Sequence, residues 1–181
     1  HAITKLAHYH FPSTKQAGKN IVQMGERKEC VFPYGCPSAD VVHNSKLSSS
    51  NASFNMGVGP DLDLSNDYLL VLFHPVTTEY SSSEGQMAEL LGAIKDLNMQ
   101  TVLIWPNIDA GSDGVSQAIR RFRENNSTIK LHAYKNFKPE EYIPLLGNSA
   151  CAIGNSSSFI RDASFLGVPV VLVGSRQDGR E

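Results

Sequence analysis

The sequence predicts an α/β fold in which a Rossmann-like, doubly wound parallel sheet forms the larger part of the chain. Short apolar runs recur from residue 67 onward, and each is followed by polar residues, glycine or proline and then by a helical pattern. Strands that alternate with helices of about 10–15 residues are typical of βαβ units and parallel sheets. The chain has 181 residues, 41% of them hydrophobic, which is enough to bury a core.

Five apolar runs are predicted to be buried strands, because a parallel strand covered on both faces is a continuous apolar run. In chain order they are Leu69–Phe73, Thr101–Trp105, Ile129–Ala133, Cys151–Gly154 and Val168–Val173. Four helices are predicted around them, at Ser83–Leu97, Ser112–Asn125, Pro139–Leu146 and Ser156–Leu166. In the first of these, apolar residues from Met87 to Ile94 recur at i, i+3, i+4 and i+7, which places them on one helix face.

The residues upstream of the sheet are predicted to differ in character. Ile3–Gly25 is expected to be mostly helical, with a helix already formed over His1–His10, and Cys30–Tyr34 is expected to be a strand. We therefore divide the chain into a connecting segment with a first strand (1–44), a serine-rich flexible loop (45–66) and a Rossmann-like domain (67–181).

Composition excludes several classes of function. The net charge is −2 and the basic residues are scattered, so we expect no nucleic-acid partner. Apolar runs are far shorter than the roughly 20 residues of a membrane span, so we expect no membrane partner. Cys30, Cys36 and Cys151 form no CxxC pair and no zinc-ligand spacing. Few, unpaired cysteines indicate reduced thiols and a cytoplasmic location.

Polar loops follow four of the predicted strands. Open α/β sheets bind ligands beyond the carboxyl ends of their strands, where these loops meet. The loops are His74–Glu79, Pro106–Ser112, Asn155–Ser158 and Gly174–Glu181. We therefore predict one site at this edge of the sheet.

The Asn155–Ser158 run has the most specific chemistry among these loops. A helix that opens with consecutive serines offers free backbone N–H groups, hydroxyl donors and the positive end of its dipole, which together suit a diphosphate. The alternative is that Ser156 only caps the helix, since serine is a favoured N-cap residue. The two interpretations are compatible, because a capping hydroxyl can also contact a phosphate.

Three further residues have a functional and a structural interpretation. Asp162 could accept hydrogen bonds from ribose hydroxyls, or it could be a solvated acid paired with Arg161. Arg176 could bind phosphate or lie on the surface. His74 directly follows a strand and could act as an acid, a base or a phosphate donor, or be structural. The sequence contains no GxGxxG, GxxxxGK[ST] or GxSxG motif, and a nucleotide-sugar site is the interpretation that remains.

A set of motifs, taken in order, resembles the UDP-N-acetylglucosamine 2-epimerase family, and the match is closer to its hydrolysing, sialic-acid-pathway branch. The motifs are His8-Tyr9-His10-Phe11, Gly35-Cys36-Pro37-Ser38-x-Asp40, His74-Pro75-Val76-Thr77-Thr78, Pro106-Asn107-Ile108-Asp109-Ala110-Gly111-Ser112, Ile153-Gly154-Asn155-Ser156-Ser157 and Gly174-Ser175-Arg176-Gln177-x-Gly179-Arg180-Glu181. The resemblance covers essentially the whole chain. It implies the C-terminal, nucleotide-binding half of a GT-B-type two-domain fold, with the N-terminal catalytic half absent.

The resemblance also implies roles for individual residues. Ser156 and Ser157 would hold the diphosphate of UDP or UDP-GlcNAc, Asp162 the ribose and Arg176 the phosphates. Tyr142 and the backbone at Phe137 would flank the uracil. Asn107 would line the pocket, and His74 would be the catalytic residue that faces the diphosphate and the sugar. The family usually has glutamate at the position of Asp162, which is one methylene longer.

The implied reaction starts with removal of the C2 proton of the sugar and anti-elimination of UDP. Water then adds to the 2-acetamidoglucal and gives N-acetylmannosamine. This mechanism needs no cofactor and no metal, and its acidic residues would lie upstream of His1. The full-length protein is expected to be a homo-oligomer. The alternatives are a non-hydrolysing epimerase, a UDP-diacetamido-sugar epimerase, a GT-B glycosyltransferase and a non-catalytic UDP-sugar-binding module.

Overall fold

Residues 1–45 and 57–180 are described by the computed structural model. They form two units, His1–Asn44 and Ser45–Arg180, each with its own internal packing. Within these ranges, no helix has both the length and the apolar character that crossing a membrane requires. Residues 46–56, which make up half of the predicted flexible loop, lie outside the described residues.

The first unit contains three short helices, α1 (Ala2–Leu6), α2 (Lys15–Gln23) and α3 (Pro37–Asn44). The prediction of a helix over His1–His10 is wrong beyond Leu6, because His10 pairs with Val31 in an isolated parallel bridge. The predicted strand Cys30–Tyr34 is also wrong, since only Val31 pairs and a 3-10 turn occupies Lys28–Cys30.

Within residues 57–180, the second unit contains six strands and four α-helices. The strands are β1 (Gly57–Val58), β2 (Leu69–Leu72), β3 (Thr101–Ile104), β4 (Leu131–Tyr134), β5 (Cys151–Gly154) and β6 (Val170–Leu172). The helices are α4 (Ser83–Leu97), α5 (Ser112–Asn125), α6 (Pro139–Gly147) and α7 (Ser157–Leu166). The predicted order of strands and helices from residue 67 onward is confirmed.

The strands form one sheet in the order β1-β4-β3-β2-β5-β6. All neighbours are parallel except β1, which pairs with β4 in the antiparallel sense. From β2 the chain runs outward through β3 and β4, and it then returns to the other side of β2 for β5 and β6. This is the doubly wound order of a Rossmann-like sheet, and its direction reverses between β2 and β5.

Apolar residues cover both faces of the sheet. Alternate residues of β2 face opposite sides, so Leu69 and Val71 pack with α4 and α5, whereas Leu70 and Leu72 pack with α6 and α7. The strand is therefore apolar throughout, as the sequence indicated.

Two strands differ from the prediction for physical reasons. β1 lies in the predicted loop and has only two residues, so it carries no periodic signal. Gly57 allows it to approach β4, because a Cβ there would lie 2.3 Å from Nε2 of His132. β6 was predicted to be buried, but Val171 and Leu172 are 52% and 48% exposed. β6 is an edge strand with a neighbouring strand on one side only, so the rest of the protein covers less of its side chains.

Candidate functional site

The carboxyl ends of β2 and β5 lie side by side where the strand order reverses. Leu72 pairs with Gly154, so the residues that follow the two strands are neighbours. Gly154 has a φ of +146°, and a Cβ at this position would lie 2.0 Å from the Leu72 carbonyl oxygen. Glycine is required for this close approach. Open α/β sheets bind ligands at such switch points.

Asn155, the first residue after β5, connects the loops at this edge. Its side-chain Oδ1 accepts from the His74 backbone N–H at 2.7 Å, and its Nδ2 donates to the His74 carbonyl at 2.8 Å. Its backbone carbonyl accepts from Nη1 of Arg176 at 3.1 Å and from Nε2 of Gln177 at 2.6 Å. One residue thus joins the loops that follow β2, β5 and β6.

The imidazole of His74 extends this network to the loop after β3. Its Nδ1 accepts from the Asn107 backbone N–H at 3.4 Å, so in the neutral ring the proton is carried by Nε2. Burial lowers the pKa of His74, and the positive charge of Arg176 lowers it further, while Asp109 opposes the change. Burial and the charge of Arg176 both favour the uncharged imidazole.

The four loops that we predicted to lie at the carboxyl edge of the sheet are thus hydrogen-bonded to one another. His74, Asn107 and Arg176 are linked through the pairs described above. A further hydrogen bond, from Oγ of Ser175 to Glu79 at 3.2 Å, joins the loops after β6 and β2.

Three serines at the start of α7 follow Asn155. Ser156 is the N-cap, and its Oγ accepts from the Ser158 N–H at 3.3 Å, so the capping interpretation is confirmed. The Ser158 hydroxyl lies 2.9 Å from Oγ of Ser156 and 2.6 Å from the hydroxyl of Tyr142. Ser157 accepts from Nη2 of Arg161 at 3.4 Å.

Asp162 lies on α7 with its side chain in the protein interior. The residue is 8% exposed, and its Oδ1 is buried without a hydrogen-bond partner among the residues that the structure describes. Burial raises the pKa of this carboxyl group, although the charge of Arg161 partly opposes the shift. The alternative of a solvated surface acid is therefore wrong. A buried acceptor without a donor is unusual and calls for an explanation.

Tyr142 and Phe137 pack against the core on the α6/α7 face of the sheet. Burial raises the pKa of the Tyr142 hydroxyl to about 12, while its hydrogen bond to Ser158 acts in the opposite direction. The ring of Phe137 lies 4.9 Å from that of Tyr134. Tyr142 is therefore joined to the start of α7, and Phe137 belongs to the same apolar layer.

Some polar groups at this edge were given no role by the sequence analysis. They are the side chains of Asn155 and Gln177. Gln177 is buried and, besides its bond to Asn155, has an Oε1 without a partner in the described part of the chain. Gln177 belongs to the motif Gly174-Ser175-Arg176-Gln177, so the sequence could have indicated that it lies near Arg176. Its burial depends on how β6 pairs with β5, which a single sequence does not reveal.

The chemistry of this edge suits an anion with an attached polar group. The guanidinium of Arg176, the serine hydroxyls and the N-terminus of α7 are donors. The carboxyl group of Asp162 is an acceptor that suits hydroxyl groups. No group of three or more His, Cys, Asp or Glu side chains within residues 1–45 and 57–180 is arranged to hold a metal ion.

The model of one protein family, described as UDP-N-acetylglucosamine 2-epimerase, matches residues 1–181. A UDP-N,N'-diacetylbacillosamine 2-epimerase (hydrolyzing) from Legionella pneumophila is 34% identical over 100% of this chain and 46% of its own length. A UDP-N-acetylglucosamine 2-epimerase from Neisseria meningitidis is 32% identical over 99% of this chain and 46% of its own length.

Solved structures agree at the level of the fold. The crystal structure of UDP-GlcNAc 2-epimerase from Neisseria meningitidis bound to UDP-GlcNAc superimposes with a TM-score of 0.72 at 15% identity. The match covers 93% of this chain and 45% of that chain. The present chain spans about half the length of the curated relatives it matches. Because the family model matches the whole chain, the chain belongs to the UDP-N-acetylglucosamine 2-epimerase family.

Proposed function

We propose that this chain is the UDP-binding half of a UDP-N-acetylglucosamine 2-epimerase and that UDP binds at the carboxyl edge of the sheet. The observation that supports this most strongly is the buried Oδ1 of Asp162, which has no donor among the described residues, on the same helix whose N-terminus carries Ser156 and Ser157. A nucleoside diphosphate supplies both an anion for the helix N-terminus and hydroxyls for the acid.

The diphosphate contacts Ser156, Ser157 and Arg176. The first N–H groups of a helix have no partner within the helix, and the helix dipole favours negative charge there. Arg176 uses Nη1 for the Asn155 carbonyl, and a guanidinium has five N–H donors, which leaves others for phosphate oxygens. Fixed donors at this place stabilise the charge that develops on UDP as it departs.

Asp162 accepts hydrogen bonds from the ribose hydroxyls. This contact supplies the donors that its buried Oδ1 lacks in the described structure. The uracil lies against Tyr142 and the backbone at Phe137, with Asn107 lining the pocket. The packing of both aromatic residues on the α6/α7 face supports this arrangement, because Tyr142 is hydrogen-bonded to Ser158 in the first turn of α7.

His74 faces the diphosphate and the reacting sugar. Because Nδ1 accepts a backbone hydrogen bond, Nε2 is the atom that donates a proton or a hydrogen bond. In the proposed reaction a base removes the C2 proton, UDP is eliminated, and water adds to the resulting glycal to give N-acetylmannosamine. The groups that remove the C2 proton belong to the remainder of the complete protein, and this half assists departure of UDP.

We propose the hydrolysing outcome, which serves sialic-acid-type sugar synthesis, and a cytoplasmic location. The free thiols of Cys30, Cys36 and Cys151 support a reducing compartment. A UDP-diacetamido sugar is the second candidate substrate, because the Legionella pneumophila relative carries that name. Incubating each sugar nucleotide with the complete protein and identifying the product by NMR separates N-acetylmannosamine plus UDP from an epimerised UDP-sugar.

Isothermal titration of UDP into the chain tests the proposed site. The double variant Ser156→Ala/Ser157→Ala removes two hydroxyl donors to a charged group, and we expect UDP affinity to fall at least about 10-fold. Ser164→Ala is the matched control, because it removes a hydroxyl from the same helix that bonds the Ile160 carbonyl. Absence of UDP binding by the folded wild-type chain, or equal affinities in both variants, would contradict the proposal.

A further inference from the structure

Asn155 uses all of its polar groups at the junction between the strand ends. The side chain makes two hydrogen bonds to the backbone of His74. Its own backbone N–H donates to the Leu72 carbonyl at 3.2 Å, and its carbonyl accepts from Arg176 and Gln177. The residue is 1% exposed. It therefore has little surface left for a ligand, and it contacts two residues that we assign to the UDP site.

The backbone N–H and carbonyl of His74 determine the orientation of the Asn155 side-chain amide. A backbone N–H can only donate and a backbone carbonyl can only accept, so Oδ1 must face the His74 nitrogen and Nδ2 the His74 oxygen. Asparagine is thus matched to both groups at once. Aspartate retains the acceptor for the N–H but presents a second oxygen to the carbonyl, and alanine leaves both buried backbone groups without partners.

The close approach of the two strands makes this pairing possible. Gly154 brings β5 against the Leu72 carbonyl, and the next residue then faces the backbone at His74. On its other side, the Asn155 carbonyl holds Arg176 through one guanidinium nitrogen. His74 and Arg176 come from loops that are about 100 residues apart in the chain, and Asn155 is hydrogen-bonded to both.

We propose that Asn155 is the positioning residue of the site, which fixes His74 and Arg176 relative to each other before the nucleotide binds. This inference rests on the proposed function, because the ligand whose diphosphate the two residues receive is UDP. Asn155 acts through its neighbours and not by touching the nucleotide. A side chain that is already held in its binding orientation loses less conformational freedom when the ligand arrives.

A purely structural asparagine would behave differently. Its removal would lower the free energy of unfolding without a specific effect on Arg176 or His74. Ser149→Ala is the matched control for this possibility. Ser149 is buried and its hydroxyl donates to the Leu146 carbonyl at 2.7 Å, but it precedes β5 and therefore lies at the opposite edge of the sheet.

The test measures UDP affinity by isothermal titration in a double-mutant cycle on the 181-residue chain. The wild-type chain, Asn155→Ala, Arg176→Ala and the double variant form the cycle, and circular dichroism checks that each variant is folded. We expect Asn155→Ala to weaken UDP binding about 10-fold in the wild-type chain and less than about 3-fold once Arg176 is absent. Ser149→Ala should leave the affinity within about 2-fold.

Equal losses from Asn155→Ala with and without Arg176, or an affinity within about 2-fold of the wild type, would overturn the proposal. If Asn155→Ala does not fold, Asn155→Asp takes its place in the same cycle, since it retains the shape and one of the two hydrogen bonds. For Asn155→Asp too, equal losses with and without Arg176, or an affinity within about 2-fold of the wild type, would overturn the proposal.

A second readout does not depend on UDP. Hydrogen exchange of the His74 backbone N–H and the imidazole ¹⁵N spectrum report directly on the groups that Asn155 holds. We expect faster exchange and a changed His74 titration in Asn155→Ala, with Arg176 and Asp109 as the charged groups that face the ring. If UDP does not bind but these signals change, the proposed function fails, and only the part of the proposal in which Asn155 holds His74 is supported. Unchanged signals would overturn the positioning role.

Discussion

Two parts of the candidate site differ in how well their polar groups are paired. In the cluster around Asn155, the side chain and backbone of Asn155 are all hydrogen-bonded, although Oε1 of Gln177 lacks a partner in the described part of the chain. On α7, by contrast, Oδ1 of Asp162 and Nε of Arg161 are buried without a partner in the described part of the chain. The comparison separates two tasks. In the proposed site, the paired groups around Asn155 fix the geometry of the edge, and Asp162 on α7 remains to bind the nucleotide.

The largest expected effect comes from the glycine on which the cluster around Asn155 depends. Gly154→Ala places a Cβ against the Leu72 carbonyl in a backbone conformation that alanine avoids, and we expect a loss of about 3 kcal/mol in the free energy of unfolding. Gly92→Ala in α4 is the control, because a Cβ there meets nothing within 4 Å. It should stabilise the chain by about 0.5–1 kcal/mol. Urea unfolding that ranks the two variants equally would contradict the close approach of β2 and β5.

A smaller effect is expected at Arg176, which belongs to the cluster around Asn155 but retains free donors. Arg176→Ala should weaken UDP binding by roughly 10-fold to 100-fold, because it removes charge-assisted hydrogen bonds to phosphate. Arg176→Lys retains the charge without the planar fork and should recover only part of the affinity. Full recovery by lysine would show that charge alone is sufficient. Isothermal titration of UDP measures both variants.

The proposed contact between Asp162 and the ribose can be tested with a nucleotide that lacks one ribose hydroxyl. The wild-type chain should bind UDP about 10-fold more tightly than 2′-deoxy-UDP, because loss of the 2′-hydroxyl removes one of the two ribose donors to the buried acid. Asp162→Ala should bind the two nucleotides with similar affinity. Retention of the full preference by this variant would place the ribose elsewhere.

Asp162 also predicts how stability depends on pH. Burial raises its pKa in the folded chain above the value in the unfolded chain, so the unfolded state loses the proton first as the pH rises. The contribution of Asp162 to stability is therefore fully present below the unfolded pKa, near 4, and is lost as the pH rises through the folded pKa. Asp162→Asn, which removes this titration, should be more stable relative to the wild type at pH 7 than at pH 3. Urea unfolding at the two pH values checks the sign.

The smallest effect is expected at the hydroxyl pair that joins α6 to α7. Tyr142→Phe removes the 2.6 Å hydrogen bond to Ser158 but keeps the ring. We expect a loss of about 1 kcal/mol in the free energy of unfolding and a change in UDP affinity of less than about 5-fold. A loss of UDP binding in this variant would mean that the hydroxyl itself touches the nucleotide.

The sequence predicts the parts of this molecule that local patterns determine. α4 and α5 begin and end at the predicted residues, because their apolar residues recur on one helix face. β5 also has the predicted bounds. In the first unit the helical pattern of His1–His10 is overridden by the bridge between His10 and Val31, which depends on residues about 20 positions apart.

The same distinction applies to the site. The interpretation of Ser156 as a cap came from its place before a helix, and it is confirmed. The role of Asn155 depends on the pairing of Leu72 with Gly154, and no local pattern reveals which strands are neighbours. The burial of Asp162 depends in the same way on how α7 packs against the sheet. Tertiary contacts therefore decide the features that a single sequence leaves open.

The most direct test of the account is a crystal structure of the chain with UDP bound. We expect the diphosphate within hydrogen-bond distance of Ser156, Ser157 and Arg176, the ribose hydroxyls on Asp162, and the Asn155–His74 hydrogen bonds unchanged. UDP at the amino edge of the sheet, or on the carboxyl edge without contact to α7, would contradict the central claim.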